Sequence, residues 1–255
     1  MSNNATRPVG DPEPRLIPAE NPGALTGAGT NTWLLDGDEP ALVDAGVGAR
    51  GHVDRIAAAL GGRALAHVLV THGHRDHAAG VPALLTRWPA LVAWKFRAEG
   101  DADGWRALVD GQEVTAGRAR LTVLHTPGHA IDHVCFWDNR ARVLYGGDMV
   151  VAGTTVMIPG RAGGGLRAYI DSLERLAALG ARRVYPGHGP VIEDPAALIA
   201  HYLQHRRDRD AEIRACLAAG VTDVDAIVSR IYPDLPSALR PAARLTVEAH
   251  LSVQS

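Results

Sequence analysis

Apolar positions along this chain recur at two periods, and the switches between them outline alternating strands and helices. Residues 32–35 and 41–43 are short apolar runs separated by Asp36-Gly37-Asp38-Glu39-Pro40, which predicts a hairpin. Residues 52–60 place Val53, Ile56, Ala57 and Leu60 at i, i+3, i+4 and i+7, a helix that Gly61-Gly62 closes. Residues 65–70 read as a buried strand, and residues 81–87 as a helix stopping before Pro89. Further strands fall at 121–124, 134–137 and 143–145, the last two joined by the turn Asp138-Asn139-Arg140. Residues 166–179 carry Leu166, Tyr169, Ile170, Leu173, Leu176 and Ala177 on one helical face ending at Gly180, and Val184-Tyr185 is the last strand. Periodicity therefore gives an α/β or α+β domain.

Beyond residue 195 the pattern is helical throughout. A long helix spans 195–219 with a charged middle, and Thr222 or Asp223 caps a second that runs to Ile231. Tyr232-Pro233-Asp234-Leu235-Pro236-Ser237 is a turn, and 238–253 a last helix. This arrangement resembles a helix-turn-helix or winged helix, but a small helical cap on the main domain is the stronger reading. Arg206, Arg207 and Arg209 alternate with Asp208, Asp210 and Glu212, which predicts a solvated, self-paired helix face. The organisation expected is a disordered arm over 1–14, a catalytic domain over 15–200 and a helical region over 201–255.

Composition changes this picture little. The 255 residues carry a formal net charge of −2, which gives no global pull toward nucleic acid or membrane. A polar, proline-rich start and the lack of a long apolar stretch argue for a cytoplasmic protein without membrane contact. Cys135 and Cys216 read as buried free thiols.

The chemistry concentrates in Thr71-His72-Gly73-His74-Arg75-Asp76-His77, directly after Val68-Leu69-Val70. Imidazoles and carboxylates at this density, where a strand runs into a loop, can serve two ions from one segment. His and Asp suit zinc, and also manganese or iron. Three more candidates follow a short apolar run and a glycine: His129 in Thr126-Pro127-Gly128-His129, Asp148 in Gly146-Gly147-Asp148, and His188 in Pro186-Gly187-His188-Gly189. Each would sit at a strand's end, where glycine lets the chain turn tightly.

The order HxHxDH, His, Asp, His resembles the metal signature of the metallo-β-lactamase superfamily. The subgroup of beta-lactamase-like protein 2 is the most similar. It shares the 71–77 string, Thr126-Pro127-Gly128-His129 followed by Asp132-His133, Gly153-Thr154-Thr155-Val156, and Tyr185-Pro186-Gly187-His188-Gly189-Pro190-Val191-Ile192. The resemblance implies an αββα sandwich. It also implies that His72, His74 and His129 hold one ion, that Asp76, His77 and His188 hold the other, and that Asp148 bridges them. Asp44, in Leu42-Val43-Asp44-Ala45-Gly46, would brace the metal loop, with His133 a weaker candidate for such support. Gly73 stands where the subgroup often has tryptophan, which predicts a widened floor. Asp76 and Asp148 are the carboxylates assigned to catalysis, and Arg75, Tyr185, Thr154 and Thr155 are candidate substrate contacts.

Two ions sharing a water would lower its pKa and polarise a scissile bond. The function this predicts is a binuclear zinc hydrolase of a small ester or thioester. The alternatives are a single-stranded RNA endonuclease, which needs arginines such as Arg75, Arg161 and Arg167 to converge, and a mononuclear iron sulfur dioxygenase. A complete second ligand set in Asp76, His77 and His188 argues against the dioxygenase. Specificity is expected in loops over 94–105 and 153–165.

Overall fold

The computed structural model describes residues 13–96, 104–153, 156–158 and 165–254. Two sheets lie face to face with helices on both outer faces, the sandwich that the resemblance implies. One sheet has the order β1 (Arg15–Pro18), β2 (Asn31–Leu35), β3 (Ala41–Val43), β4 (His67–Val70), β5 (Val92–Lys95), β6 (Arg106–Ala107). The chain continues into β7 (Glu113–Ala116), β8 (Ala119–His125), β9 (Val134–Asp138), β10 (Val143–Gly147) and β11 (Arg183–Pro186), which form the second sheet in the order 11-10-9-8-7. The helices are α1 (Arg50–Leu60), α2 (Arg75–Ala78), α3 (Val81–Arg87), α4 (Gly165–Ala178), α5 (Pro195–Ala218), α6 (Val224–Ile231) and α7 (Arg240–Gln254).

Strands β2, β3, β9 and β10 are buried on both faces, which is why they read as unbroken apolar runs. The period of two still sorts their side chains. Trp33, Leu35 and Val43 point between the sheets to meet Val123, Phe136, Val143 and Tyr145. Leu34 and Leu42 point outward onto Ile56 and Leu60 of α1 and Leu84 of α3. Cys135, Trp137 and Leu144 leave the second sheet toward Tyr169, Leu173 and Leu176 of α4. The expected hairpin joins β2 and β3, and α1 ends on Gly61 in the left-handed conformation (φ 59°). Both cysteines are free and buried.

The C-terminal helices close a core of their own from Ile213, Cys216, Ile227, Val228, Ala243 and Val247. The boundary expected at 200/201 falls inside α5, a single helix of 24 residues. Its early residues Ile199 and Tyr202 pack on the second sheet's helical layer, while Ile213 and Cys216 belong to the small core. No helix among the described residues is long and apolar enough to cross a membrane.

Two expectations are corrected here. Residues 94 and 95 of the first expected loop belong to strand β5, where Trp94 hydrogen-bonds the His67 ring and is covered by Arg106. Residues 97–103, and 154, 155 and 159–164 of the second expected loop, lie outside the described residues. Arg206 is not on the solvated face: it is buried against Tyr169 and donates to the Val156 carbonyl, whereas Arg209 does pair with Glu212.

Candidate metal centre

Strands β3, β4, β8, β10 and β11 all end at one edge of the sandwich, and each is followed by a polar residue of the site. β4 runs into Thr71 and the extended His72-Gly73-His74; the chain then coils into α2, whose single turn carries Asp76 and His77. The motif is therefore half extended and half helical, not a loop throughout. That change of conformation turns its two halves toward different donors. β10 breaks register with β11 between Tyr145 and Gly147, and Gly147 takes a φ of 47°. The irregularity re-aims the chain so that Asp148 points at the histidines. The edge is stitched across the sheets by Asn31, whose side-chain amide donates to the Pro186 and Gly189 carbonyls, and by the Val134 N–H to the Thr71 carbonyl.

The predicted ligands meet in two groups. His72 Nε2 lies 2.9 Å and His129 Nε2 3.0 Å from His74 Nδ1. Asp76 Oδ2 lies 3.2 Å from His188 Nε2 and 3.3 Å from His77 Nε2. Asp148 stands between, with Oδ2 3.6 Å from His129 Nε2 and 3.4 Å from His188 Nε2, and Oδ1 3.5 Å from His77 Nε2. The donor atoms fall into three overlapping sets: His72, His74 and His129; His72, His77 and Asp148; Asp76, His77 and His188.

A pair of cations fits this arrangement. Tetrahedral donors bonded at about 2.0–2.1 Å stand roughly 3.3 Å from one another, close to the spacings here. Imidazole nitrogens turned lone pair to lone pair repel unless a proton or a cation lies between them. Asp148 Oδ1 is buried without a hydrogen-bond partner, an open lone pair at the centre of the cluster.

Several of the donors are held from behind. Asp44, at a φ of 63°, accepts from the Thr71 N–H at 2.8 Å, from the Thr71 hydroxyl at 3.0 Å, and pairs with His77 Nδ1 at 2.7 Å. His129 Nδ1 faces the Met157 carbonyl at 2.9 Å and His188 Nδ1 the Gly29 carbonyl at 3.1 Å. Such partners fix the tautomer and leave the other nitrogen free to bind. The Thr30 hydroxyl donates to Asp76 Oδ2 at 3.1 Å and accepts from Asn21 at 3.0 Å.

The electrostatics agree. Burial, with the neighbouring imidazoles, holds His72 and His133 well below the ordinary imidazole range. Burial alone would raise the Asp148 carboxyl, but His77, His188 and His72 outweigh it and keep it well below the carboxylate range. Burial opposes protonation of His188 as well, yet Asp148 and Asp76 lift it to about 10. The acids thus draw positive charge into the cluster, the charge that a cation there would supply.

The remaining expectations fare unevenly. His133, the weaker candidate for support, is fully buried, with Nδ1 on the Thr126 hydroxyl at 2.9 Å and Nε2 accepting the Asp148 N–H at 3.1 Å. It holds the backbone of Asp148 in place. Tyr185 touches no substrate space, since it packs between the sheets on Trp33 and Tyr145. Gly73 does not open the floor, because the buried Lys95–Asp132 pair, 2.7 Å apart, fills the space beside it. Thr154 and Thr155 lie outside the described residues, while Arg75 is exposed on α2. Thr30, Thr71 and Asn21 were missed as supports. Thr71 carried a signal, a polar residue between an apolar strand and the first histidine. The Gly29 and Met157 carbonyls carried none, being backbone.

Residues 25–188 match the family model of the metallo-beta-lactamase superfamily, and residues 224–252 match the beta-lactamase associated winged helix domain. A beta-lactamase-like protein 2 homolog of Caenorhabditis elegans is 32% identical over 239 residues, which cover 89% of this chain and 79% of that protein. An atrochrysone carboxyl ACP thioesterase of Aspergillus chevalieri is 34% identical over 237 residues, 88% of this chain and 75% of the other. Among solved structures, a metallo-beta-lactamase family protein from Thermus thermophilus superposes with a TM-score of 0.73 at 25% identity, covering 95% of this chain and 93% of that one. The family match takes in every histidine and aspartate of the cluster and the sandwich that presents them, so the chain belongs to the metallo-β-lactamase superfamily of metal-dependent hydrolases.

Proposed function

We propose that the centre is binuclear, that zinc fills it, and that it hydrolyses the ester or thioester of a small acyl substrate. The observation that carries this reading is the placement of Asp148 between two donor sets, each able to hold a cation without the other's imidazoles. When bound, two such cations lower the pKa of a shared water and polarise a carbonyl oxygen. The chain's own part is to hold the donors at fixed spacing, keep His72 neutral by burial, and keep Asp148 ionised so that it can orient the attacking water and take its proton. Asp76, pinned by Thr30, closes the second set.

The acyl reading draws on the similar protein named as an acyl carrier thioesterase and on two exposed apolar side chains on loops of the site. Ile131 follows His129 by two positions, and Leu25 lies in the loop that leads to Thr30. Positive charge does not gather there among the described residues: Arg167 pairs with Asp171, and Arg161 lies outside the described residues. That weighs against the RNA reading, and the full set of Asp76, His77 and His188 against a single iron.

Metal analysis with parallel assays on S-lactoylglutathione, acyl thioesters and single-stranded RNA tests this. Two zinc ions per chain and thioester turnover are expected. Asp148→Ala should lose both ions and all turnover, whereas Arg75→Ala, which removes no lone-pair donor, should keep both. One iron per chain with neither hydrolytic activity would overturn the proposal.

A further inference from the structure

Arg206 sits in the middle of α5 and is 2% exposed, although Arg207 and Asp208 beside it face solvent. An arginine cannot shed its charge, so burying one is costly unless it makes contacts that no apolar side chain can make. Its Nη2 donates to the Val156 carbonyl at 2.6 Å, across 50 residues of sequence, and its guanidinium lies over the Tyr169 ring at 5.3 Å. The next carbonyl along that segment, Met157, is the one that faces Nδ1 of His129 at 2.9 Å. Tyr169 in turn donates to the Met149 carbonyl at 2.8 Å, one residue after Asp148, and Tyr202 of α5 donates to the Val151 carbonyl at 2.9 Å. Side chains of α4 and α5 therefore hold both segments that back the centre, 149–151 and 156–157.

Residues 156–158 belong to no helix or strand, and no backbone-to-backbone hydrogen bond among the described residues ties them down. A carbonyl that orients a ligand imidazole is only as fixed as the chain that bears it. We propose that Arg206 is a positioning residue of the centre: it fixes the 156–157 segment so that the Met157 carbonyl sets the ring and tautomer of His129. The inference rests on the reading of His72, His74 and His129 as one cation's donors. It makes the C-terminal helical region part of the metal site's support, through a helix that belongs to both cores.

The test is chelator competition on the full chain loaded with zinc, comparing Arg206→Lys and Arg206→Met with His129→Ala. The ion that His129→Ala loses should be released from either Arg206 variant at roughly tenfold lower chelator concentration, with the other ion held as in the parent. Adding Arg206→Lys to His129→Ala should weaken metal binding no further, since both act through one ring. Arg209→Ala, on the same helix but paired with Glu212 and stacked on Tyr232, should keep both ions. Equal weakening of both ions, no weakening in Arg206→Lys, or the same loss in Arg209→Ala would overturn the role of Arg206. Arg206→Lys keeps a buried cation and serves if Arg206→Met does not fold. A parent chain that takes up no pair of ions would instead sink the binuclear reading, whatever the variants do.

Discussion

Individual residues of the centre tolerate little because each contact is shared. A Cβ on Gly187 would stand 2.4 Å from Asp148 Oδ1 and 2.7 Å from His77 Cε1, so one methyl group displaces both donors together. Gly187→Ala is expected to lower bound metal below two ions per chain, read by elemental analysis, while costing the metal-free protein only about 1–3 kcal/mol of stability by overpacking. Full retention of both ions would mean that Asp148 does not serve as the bridge. Asp44 is as constrained, by chemistry instead of space. Oδ1 accepts from Thr71 and Oδ2 from His77 and Thr71, so in either orientation an asparagine turns an N–H toward a donor. Asp44→Asn should weaken metal binding about 10–100-fold in chelator competition, and an unchanged affinity would refute its bracing role. Every donor of the cluster was legible in the sequence, because donor types at strand ends leave a residue-level trace. Gly73 was not, since what fills its floor is an ion pair between Lys95 and Asp132, distant in sequence from the motif and from each other.

At the scale of elements, what periodicity caught were the pieces that pack on two sides. The strands with unbroken apolar runs and the helices with a wide apolar stripe were read within a few residues. The short edge strands β1, β6 and β7 were missed, because a strand of four or fewer residues gives too few positions to show alternation. Arg206 was misread for a related reason: spacing along a helix reports only neighbours on that helix, and its partner is a loop carbonyl. The caps were legible, and they can be weighed. Asp223 rather than Thr222 caps α6, accepting from the Ala226 N–H at 2.9 Å, so Asp223→Ala should cost about 1 kcal/mol in urea unfolding and Thr222→Ala almost nothing. The packing of α7 on α5 also carries a pH dependence. Burial, with the charge of Arg206 and despite Asp210, lowers the His250 imidazole from 6.5 to about 4. Below pH 6.5 the unfolded chain binds a proton that the folded chain refuses until about pH 4, so this residue's contribution is intact above 6.5 and is lost as pH falls through that window. His250→Gln should flatten the fall in urea midpoint between pH 6.5 and 4.5 relative to the parent; parallel curves would show that His250 titrates normally.

For the whole molecule, the two sheets bring five strand ends to one edge, and what reaches that edge from solvent is decided by charge as much as by shape. A protein that follows a nucleic-acid backbone replaces counterions with its own cations, and its affinity falls steeply with salt as those ions return. This chain carries a formal net charge of −2, and many of its arginines are committed elsewhere: Arg183 to Glu13 and Glu193, Arg175 to Asp110, Arg214 to Asp210, Arg244 to Asp225. Exposed pairs of this kind add little stability, but each cancels a charge that a phosphate track would need. Arg75 is the exposed cation inside the motif itself, and one such contact gives a shallow salt slope. A small acyl substrate should therefore show kcat/KM changing only a few-fold between about 50 and 200 mM salt, because its binding releases few counterions. A single-stranded RNA engaging about six phosphates would lose on the order of several hundredfold over the same range. Measuring both substrates across that range, in the parent and in Asp148→Ala, separates the two readings. Cleavage of RNA that needs Asp148, saturates at submicromolar RNA and collapses with salt would replace the acyl hydrolase with an endonuclease. Thioester turnover that needs Asp148 and is nearly indifferent to salt would establish the hydrolase.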